Sequence, residues 1–438
     1  MSPVRITLIN QFYAPDISPT AHLTASLAEH FAAGGHDVTV VTSRGGYSDD
    51  ARKKAGAQSR STDVDVRRIW TPRFGKANLI KRLTDYFFFY LGTFIKLVVL
   101  KRQDVVISLT TPPFIAWAGV LHKFLHRRTK LVLWNMDCYP EAPERAGMIK
   151  ENGTISRILQ LFNRALFRRL DHLVCLDSAM LDLLMGRYAP KNKTLPSTII
   201  PNWEDADFFP DGAVYEQWEG ISRHGLDGKF VALYLGNMGV GHEFDTVLDA
   251  AELLRDQTRI TFLFVGGGSR KEAVADEARR RKLTNVIVQG YVPKSETPRL
   301  MASITCSLIT LRDNMLGVMS PSKLHSNLAM SLPVLYIGPE KSNVDDAIKR
   351  YACGLSVPIG DAQGFADAVK SLSHDRETYR QMRTSARWAF DDAYSDHATH
   401  ARFDELVAAL CPLDRHARKA HRSSTLESSP KTKTKAKP

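Results

Sequence analysis

The sequence predicts an α/β protein with two Rossmann-like domains that face each other across a cleft. The chain has 438 residues, which is more than one hydrophobic core usually serves. Short apolar runs rich in β-branched residues alternate with helical periodicity, which is typical of βαβ units and a parallel sheet. The alternation lapses once, over residues 201–228, and then starts again. Two consecutive domains of similar size follow from this pattern.

The first series of apolar runs predicts seven strands. A helix is expected after the first of them, because the turn-like Asp16-Ile17-Ser18-Pro19 precedes a periodic stretch from Thr20 to Ala33 that stops at two glycines. We assign residues 1–205 to this domain, with strands near residues 4–10, 37–42, 64–70, 103–108, 130–135, 171–176 and 197–200.

The second series begins after the lapse and becomes wholly helical over residues 361–410. We assign residues 206–396 to the second domain and expect the helix of residues 397–411 to pack back toward the first. The Lys/Ser/Thr/Pro-rich residues 412–438 cannot bury enough apolar area to fold, so a disordered basic tail is expected. The strands of this series are expected near residues 229–234, 260–265, 285–289, 304–309, 333–337 and 354–357.

Composition narrows the class of protein. The chain is 44% hydrophobic and 24% charged, with a mean hydropathy of -0.22, which argues against a membrane protein with several spans. The five cysteines are scattered, without the paired spacing of a zinc site or a disulfide framework. The N-terminus leads directly into a strand and lacks the apolar region of a secretory signal. We therefore expect a cytoplasmic protein with free thiols and no bound metal.

The net charge of +12 is unevenly distributed. Residues 1–211 hold 28 Lys or Arg against 20 Asp or Glu, residues 212–412 hold 23 against 25, and residues 413–438 hold 8 against 2. A basic first half and tail suit an anionic partner such as lipid head groups or a phosphate-bearing ligand. Nucleic acid is not expected, because the chain has no interleaved aromatic and basic stripe and no recognition-helix motif.

Residues 79–102 combine aromatic and basic side chains. The run is too short and too charged for a transmembrane span, which needs about 20 apolar residues. Either an amphipathic helix in the head-group layer or a long helix buried against the sheet explains the pattern. In the first case, the membrane face is expected to hold Phe87, Phe88, Phe89 and Tyr90 with Lys81, Arg82, Lys96, Lys101 and Arg102.

Three strand ends in the second half suit a phosphate-bearing ligand. In an open α/β sheet, ligands bind beyond the carboxyl ends of the strands, where backbone N–H groups and helix N-termini point at phosphate. Glycines there let the backbone approach a ligand closely. Taken singly, each loop is also an ordinary βα turn. The candidate binding residues are Gly236, Asn237, Gly239 and His242 on the first loop, Gly267 and Arg270 on the second, and Arg312, Ser322 and Lys323 around the third.

Lys323 is the first candidate for a catalytic cation. A cation beside a phosphoryl leaving group stabilises charge that grows in the transition state, and Arg312 and Arg270 are the next candidates. Ser322 is expected to cap a helix that starts at Pro321. The glycines at 266–268 do not complete the dinucleotide fingerprint, which disfavours a dehydrogenase, and no P-loop is present.

Asp137 and Glu141 are the candidate catalytic carboxylates of the first half. They follow an apolar strand and lie four residues apart on a loop. Carboxylates can hold sugar hydroxyls or act as a base. The alternative is structural, with Asp137 as a helix N-cap and Glu141 as a solvated surface residue.

Together these stretches resemble the GT-B enzymes of glycosyltransferase family 4, and within it the branch that builds bacterial O-antigen, capsule and exopolysaccharide, including acetamido-fucosyl transferases. The resemblance covers residues 4–410. It rests on the stretches Asn10-Gln11-Phe12-Tyr13-Ala14-Pro15-Asp16, Met136-Asp137-Cys138-Tyr139-Pro140-Glu141, Ile200-Pro201-Asn202-Trp203, Gly236-Asn237-Met238-Gly239, Phe244-Asp245-Thr246 and Pro321-Ser322-Lys323-Leu324.

The chain departs from the family pattern at its best-known positions. Counting back from Pro333, the family's two glutamates, one for the donor sugar and one for the ribose, fall at Val318 and Ser326. The turn glycine that follows is Ser331. The residues that grip the diphosphate in the family, Arg and Lys, fall at Asn237 and His242, and an N-domain His falls near Met136. The nearest branch replaces the glutamates with a Pro-Ser-Lys helix start. The resemblance therefore implies that Lys323 binds the phosphates.

The resemblance implies a retaining glycosyltransferase without a metal or other cofactor. A nucleotide-sugar donor, as a UDP-sugar, would lie in the second domain, and a polyprenyl-linked or other saccharide acceptor in the first. We expect the protein on the cytoplasmic face of the plasma membrane as a peripheral protein. A GT-B sugar-nucleotide epimerase and a catalytically inactive scaffold that binds nucleotide-sugars remain alternatives.

Overall fold

The structure is a computed structural model and describes residues 3–16, 18–44, 63–72 and 79–412. The tail expected to be disordered lies outside the described residues except for Pro412.

The first domain is a parallel sheet covered by helices. Its seven strands are arranged in the order β3-β2-β1-β4-β5-β6-β7, so the chain reverses direction across the sheet between β1 and β4. The strands are β1 (Arg5–Ile9), β2 (Asp37–Ser43), β3 (Val64–Ile69), β4 (Val105–Ser108), β5 (Lys130–Trp134), β6 (His172–Cys175) and β7 (Ser197–Ile199). The helices are α1 (Pro19–Ala33), α2 (Leu79–Val99), α3 (Ala116–Leu125), α4 (Glu141–Arg145), α5 (Thr154–Phe167) and α6 (Ser178–Tyr188).

The second domain repeats the plan with six parallel strands in the order β10-β9-β8-β11-β12-β13. The strands are β8 (Phe230–Leu235), β9 (Ile260–Val265), β10 (Val286–Gln289), β11 (Cys306–Thr310), β12 (Val334–Ile337) and β13 (Gly354–Val357). The helices are α7 (Gly220–Arg223), α8 (Asp245–Leu253), α9 (Lys271–Arg280), α10 (Thr297–Ala302), α11 (Lys323–Ala329), α12 (Asn343–Tyr351), α13 (Ala362–His374), α14 (Arg376–Ala389) and α15 (Asp396–Leu410).

The predicted fold class is confirmed, and each of the thirteen predicted strands is present. The central strands have few polar residues because helices cover both faces of a parallel sheet. In β9, every residue is buried, and in β8 only the last is partly exposed. Helix α1 starts one residue before the predicted Thr20, at Pro19, where the Ser18 hydroxyl accepts a hydrogen bond from the Ala21 N–H. The sequence thus encodes both the layers and the first helix start.

The chain crosses between the domains twice, and the two crossings are joined. Backbone pairing links Glu204 to Ser395, because the Glu204 N–H donates to the Tyr394 carbonyl at 3.2 Å and the Asp396 N–H donates to the Glu204 carbonyl at 3.0 Å. Helix α15 then packs on the first domain, where Asp404 lies 2.8 Å from the ring nitrogen of His30. The last helix therefore contributes to the core of the domain in which the chain began.

Helix α2 has two different faces. One is buried and carries Phe89 and Leu97, whereas the opposite face exposes Phe87 at 61% and Ile95 at 57%. The expected membrane group was therefore wrong in part, because Phe89 is fully buried against the sheet and Phe88 is half-buried. The helix therefore contributes to the core through one face and presents apolar side chains to the outside on the other. Among the described helices, none is both long and apolar enough to span a bilayer.

Candidate functional site

Two adjoining cavities lie in the cleft, where the carboxyl ends of both sheets meet. The larger has a volume of about 700 Å³ and is lined by both domains, including Asp137 and Gly239. The smaller, of about 390 Å³, is lined mainly by the second domain. Asn237, His242 and Ser322 line both cavities, so the two are parts of one cleft.

The loop after β8 is shaped to leave room for Lys323. Gly236 has a φ of +123°, which is unfavourable for a residue with a side chain. A Cβ atom at this position would lie 3.1 Å from the Cε of Lys323. A Cβ at Gly266 would collide with the carbonyl of Gly236, so the second glycine loop supports the first from beneath. Because Gly236 has no side chain, the aliphatic part of Lys323 packs directly against the backbone of this loop.

Lys323 is a half-buried cation without an acidic partner in the described residues. Its amine lies 3.4 Å from the Nε2 of His242 and 4.6 Å from the centre of the Tyr234 ring. Neither neighbour carries a negative charge. Loss of water around the amine lowers the pKa of Lys323 from 10.5 to about 8. A positive charge at the first turn of α11, beside a cavity, is an attractive site for an anion.

His242 is neutral and fixed in one tautomer. Its Nδ1 lies 2.7 Å from the Thr310 carbonyl and must donate to it, which leaves Nε2 as an acceptor facing Lys323. Burial, and after it the charge of Lys323, lowers the pKa of His242 to about 4. The side chain thus orients Lys323 and adds no charge of its own at neutral pH.

Asp137 lies on the opposite wall. Its side chain is exposed to the larger cavity, while its backbone N–H donates to the Thr110 hydroxyl at 3.0 Å. The surrounding protein displaces water around the carboxyl group, and this desolvation raises the pKa of Asp137. Of the two predicted carboxylates, this one faces the cleft.

Glu141 does not face the cleft. It is 1% exposed, and one carboxylate oxygen accepts hydrogen bonds from Arg187 at 2.9 Å and from the Tyr188 hydroxyl. Glu141 was expected to be either a catalytic carboxylate of the cleft or a solvated surface residue. This geometry corrects both interpretations, since the residue lies neither in the cavity wall nor on a solvated surface. It joins α4 to α6 through a buried ion pair.

Three other predicted residues lie behind the cavity walls. Gly267 packs against the Tyr291 ring, and its carbonyl accepts a hydrogen bond from the Met238 N–H at 2.6 Å. Arg270 donates to the His242 carbonyl at 2.7 Å, and the backbone N–H of Arg312 donates to the Gly241 carbonyl at 3.0 Å. These contacts shape the glycine loop from outside the space that a ligand would fill.

Ser322 lines both cavities but does not cap the helix. Helix α11 begins at Lys323 and not at Pro321, and the Ser322 side chain makes no capping hydrogen bond. The expected cap is therefore corrected. Because the backbone at Ser322 is already helical, its hydroxyl cannot reach back to the following N–H groups and is exposed at the cavity instead.

Glu204 is a cavity residue that sequence reasoning missed. It lines the smaller cavity together with Lys323 and Ser326, and burial raises the pKa of its carboxyl group to about 7. The signal was present, because Glu204 follows a strand end of the first domain. Glu204 was not singled out because it is one of four acidic residues in 201–211, a stretch that was interpreted as a linker between the domains. Within the described ranges, no cluster of three or more His, Cys, Asp or Glu could hold a metal ion.

Comparisons with known proteins agree with this architecture. A family model described as a glycosyl transferase 4-like domain matches residues 20–203, and one described as glycosyl transferases group 1 matches residues 229–375. The chain is similar to the probable glycosyltransferase WbjE of Pseudomonas aeruginosa, with 25% identity over 314 residues that cover 71% of this chain and 77% of that protein. It is also similar to WcaI of Escherichia coli K12, a putative colanic acid biosynthesis glycosyl transferase, with 24% identity over 332 residues, 73% of this chain and 79% of that protein.

Solved structures share the fold. HepE of Anabaena, solved in complex with UDP, superposes with a TM-score of 0.65 at 12% identity, over 92% of this chain and 100% of that one. WaaG, a glycosyltransferase involved in lipopolysaccharide biosynthesis, superposes with a TM-score of 0.61 at 15% identity, over 93% and 100%. Both are two-domain GT-B proteins, and this chain has the same architecture.

Proposed function

Since the chain is a glycosyltransferase that joins a glycosyl transferase 4-like domain to a group 1 domain, we propose that it transfers a sugar from a UDP-sugar to a lipid-linked saccharide, with retention of configuration, in the synthesis of a bacterial surface polysaccharide. The observation that carries the proposal is the unpaired cation of Lys323 at the cavity. The name of WcaI, a colanic acid biosynthesis glycosyl transferase, supports the bacterial polysaccharide context.

In this proposal, the diphosphate of the donor lies against Lys323 and the glycine loop. A phosphate group would neutralise the buried ammonium group and raise its pKa, so binding and charge are coupled. The complex of HepE with UDP makes a uridine nucleotide the first choice. Glu204, which lines the same cavity as Lys323, suits the hydroxyl groups of the donor better than its phosphates, because a carboxylate accepts hydrogen bonds and repels phosphate.

The transfer would take place between the two walls. The bond between the anomeric carbon and the diphosphate oxygen breaks, and the acceptor hydroxyl forms the new bond on the same face as the leaving group. Its proton moves to the departing diphosphate, whose growing charge Lys323 stabilises. Asp137, with its raised pKa, holds a sugar hydroxyl on the opposite side of the cavity. No step in this scheme calls for a metal.

We infer further that the protein works in the cytoplasm on the inner face of the plasma membrane. The exposed apolar face of α2, defined here as Leu83, Phe87, Leu91 and Ile95, belongs to the half of the chain with the positive charge excess. Such a face gains free energy by entering the head-group boundary, and anionic lipids attract the surrounding cations. A lipid-linked acceptor would then be presented next to the cleft.

A melting-temperature panel tests the proposal. The full chain is heated with UDP, GDP, ADP, UDP-sugars and NAD, and UDP compounds are expected to raise the melting temperature most. Stabilisation by NAD alone contradicts the proposal in favour of a dehydrogenase, and the absence of any nucleotide effect contradicts the donor assignment. Stabilisation by UDP-sugars without any turnover favours the inactive scaffold. With a stabilising UDP-sugar, turnover that requires a saccharide acceptor supports transfer, whereas turnover without one indicates an epimerase.

A further inference from the structure

An apolar groove lies on the surface of the first domain between α2, α3 and α5. It has a volume of about 430 Å³, and its walls are almost entirely apolar. Of its lining residues, Trp117 lies on α3 and Phe114 on the loop before it. The lining residues are Tyr90, Phe94, Phe114, Trp117, Leu159 and Phe162. A groove of this kind exposes apolar area to water unless something fills it, which costs free energy in proportion to the area.

The groove adjoins the larger cavity of the cleft. Pro113 lines that cavity, and its neighbour Phe114 lines the groove. The Tyr90 hydroxyl, at the groove, donates to the Pro113 carbonyl, which ties the two walls together. A molecule with a polar head in the cavity and an apolar tail therefore has a short path from one to the other across these residues.

One cation lines the adjoining cavity, and another lies against a residue of the groove. Arg82 is in the wall of the larger cavity, where it donates to the Tyr86 hydroxyl at 2.8 Å. The guanidinium group of Arg169 lies 5.3 Å from the centre of the ring of Trp117, which lines the groove. The combination of an apolar channel with flanking cations is complementary to an anionic amphiphile, and it is unlike the neutral surface that a second apolar helix would require.

We propose that this groove binds one hydrocarbon chain of the anionic lipid that carries the acceptor, with its phosphate near Arg82 and its saccharide in the larger cavity. The proposal deepens the proposed function and rests on it for the identity of the saccharide. It differs from contact of α2 with a bilayer, because here a single chain leaves the bilayer and lies against protein. The groove would thus select acceptors by their tail as well as by their sugar.

Trp117 provides a direct test. Bromododecyl phosphate, used below the concentration at which it forms micelles, is titrated into the full chain in the absence of vesicles, and tryptophan fluorescence is followed. Bromine quenches indole only at contact, so the expected result is saturable quenching that is largely lost in Trp117→Phe. Dodecyl phosphate should compete with the probe, and inorganic phosphate should not. Quenching that persists unchanged in Trp117→Phe, or equal competition by inorganic phosphate, would overturn the proposal.

A matched pair of variants on α5 separates the groove from the general surface. Phe162 lines the groove and is 53% exposed, whereas Leu161, 60% exposed, does not line it. Phe162→Ser should weaken binding of the probe about tenfold, as expected for one lost aromatic contact, and Leu161→Ser should leave it unchanged. Equal effects of the two substitutions contradict the proposal, and melting temperatures verify that both variants fold.

The same preparations distinguish this inference from the proposed function. If UDP fails to stabilise the chain while the probe quenches Trp117, the groove proposal is supported and the assignment of a UDP-sugar donor is contradicted. If UDP stabilises the chain and the probe binds only when vesicles are added, the groove proposal fails and the face is a bilayer contact alone.

Discussion

Glu141 and Lys323 are both charged groups withdrawn from water near the cleft, yet their surroundings differ. Glu141 is 1% exposed and paired with Arg187 at 2.9 Å. Among the described residues, the hydrogen-bond and ring neighbours of the Lys323 amine are a neutral imidazole and an aromatic ring. Both residues were predicted from the sequence to be catalytic. The contrast teaches that burial alone does not mark a site, because a charge with a partner is part of the scaffold and a charge without one is open to a ligand.

Removing the paired charge should have the largest effect on stability. Glu141→Ala removes a charge-assisted hydrogen bond from Arg187 and the acceptor of the Tyr188 hydroxyl, while Glu144 still contacts Arg187 at 3.1 Å, and it should cost about 3 kcal/mol in the free energy of unfolding. Urea denaturation measures it. The control is Glu151→Gln, because Glu151 is 66% exposed and 3.6 Å from the same arginine, and its loss should cost less than about 1 kcal/mol. Similar costs for the two variants would mean that the buried pair contributes no more than a surface pair.

Removing the unpaired charge should affect binding instead. Lys323→Ala should weaken binding of UDP by about 1.5–3 kcal/mol, the value of a charge-assisted contact, as measured by calorimetry. Lys271→Ala is the matched control, since that lysine lies near the second glycine loop and already has a carboxylate, Glu272, at 3.6 Å. Unchanged affinity in Lys323→Ala would sink the assignment of the diphosphate to this lysine.

The desolvation of Lys323 also predicts how the stability of the protein changes with pH. Desolvation lowers the pKa of Lys323 from 10.5 to about 8, so between these pH values the unfolded chain binds more protons than the folded one and stability rises with pH. Below pH 8 the full penalty is present. Lys323→Met removes it, and should therefore be more stable than the wild type at pH 7 by on the order of 2 kcal/mol, with the difference vanishing near pH 10. Parallel stability curves from pH 7 to pH 10 would show that the lysine is well solvated.

Helix α2 extends the comparison from charge to apolar surface. Phe87→Ser with Leu91→Ser should reduce flotation with anionic liposomes several-fold and leave the melting temperature nearly unchanged, because both side chains are about half exposed or more. Phe89→Ser, on the buried face of the same helix, should instead cost about 3 kcal/mol of stability or more. If the Phe87→Ser/Leu91→Ser variant floats with liposomes as the wild type does, the exposed face of α2 does not bind the membrane.

Glu204 gives the smallest predicted effect. Glu204→Gln should weaken binding of UDP by about 1 kcal/mol, the value of one hydrogen bond, and the loss should disappear with a dideoxyribose analogue of UDP. Asp205→Asn, one residue along, is the matched control and should bind like the wild type. A loss that is equal for UDP and for the dideoxy analogue would exclude the ribose as the partner of Glu204.

The fold was predictable because it depends on patterns that many residues share. Thirteen strands were located by runs of apolar residues, and no single residue decided any of them. The lapse over residues 201–228 was equally visible. What the pattern could not give was the direction of individual side chains, since Phe87 and Phe89 look alike in sequence and lie on opposite faces of α2.

The site was predictable only in part, for a related reason. Gly236, Asn237 and Lys323 were predicted to lie together because strand ends of parallel sheets meet at one edge, and all three line the smaller cavity. Glu141 was misread because its partner Arg187 is 46 residues away on another helix, and this long-range pairing has no local signal. Glu204 was missed because its importance arises from the approach of the second domain, which no local pattern encodes.

The paired chain crossings at Glu204 and Ser395 have a mechanical consequence. Any motion that opens the cleft must pivot where both covalent connections pass, and these connections are hydrogen-bonded to each other. A point on a pivot moves little relative to either body. Lys323 and Asp137, on opposite walls, separate as the domains swing apart, whereas Glu204 keeps its position with respect to both. If the domains open about this point, the Glu204 side chain stays in place, and a donor bound as proposed would contact it in the open and in the closed form.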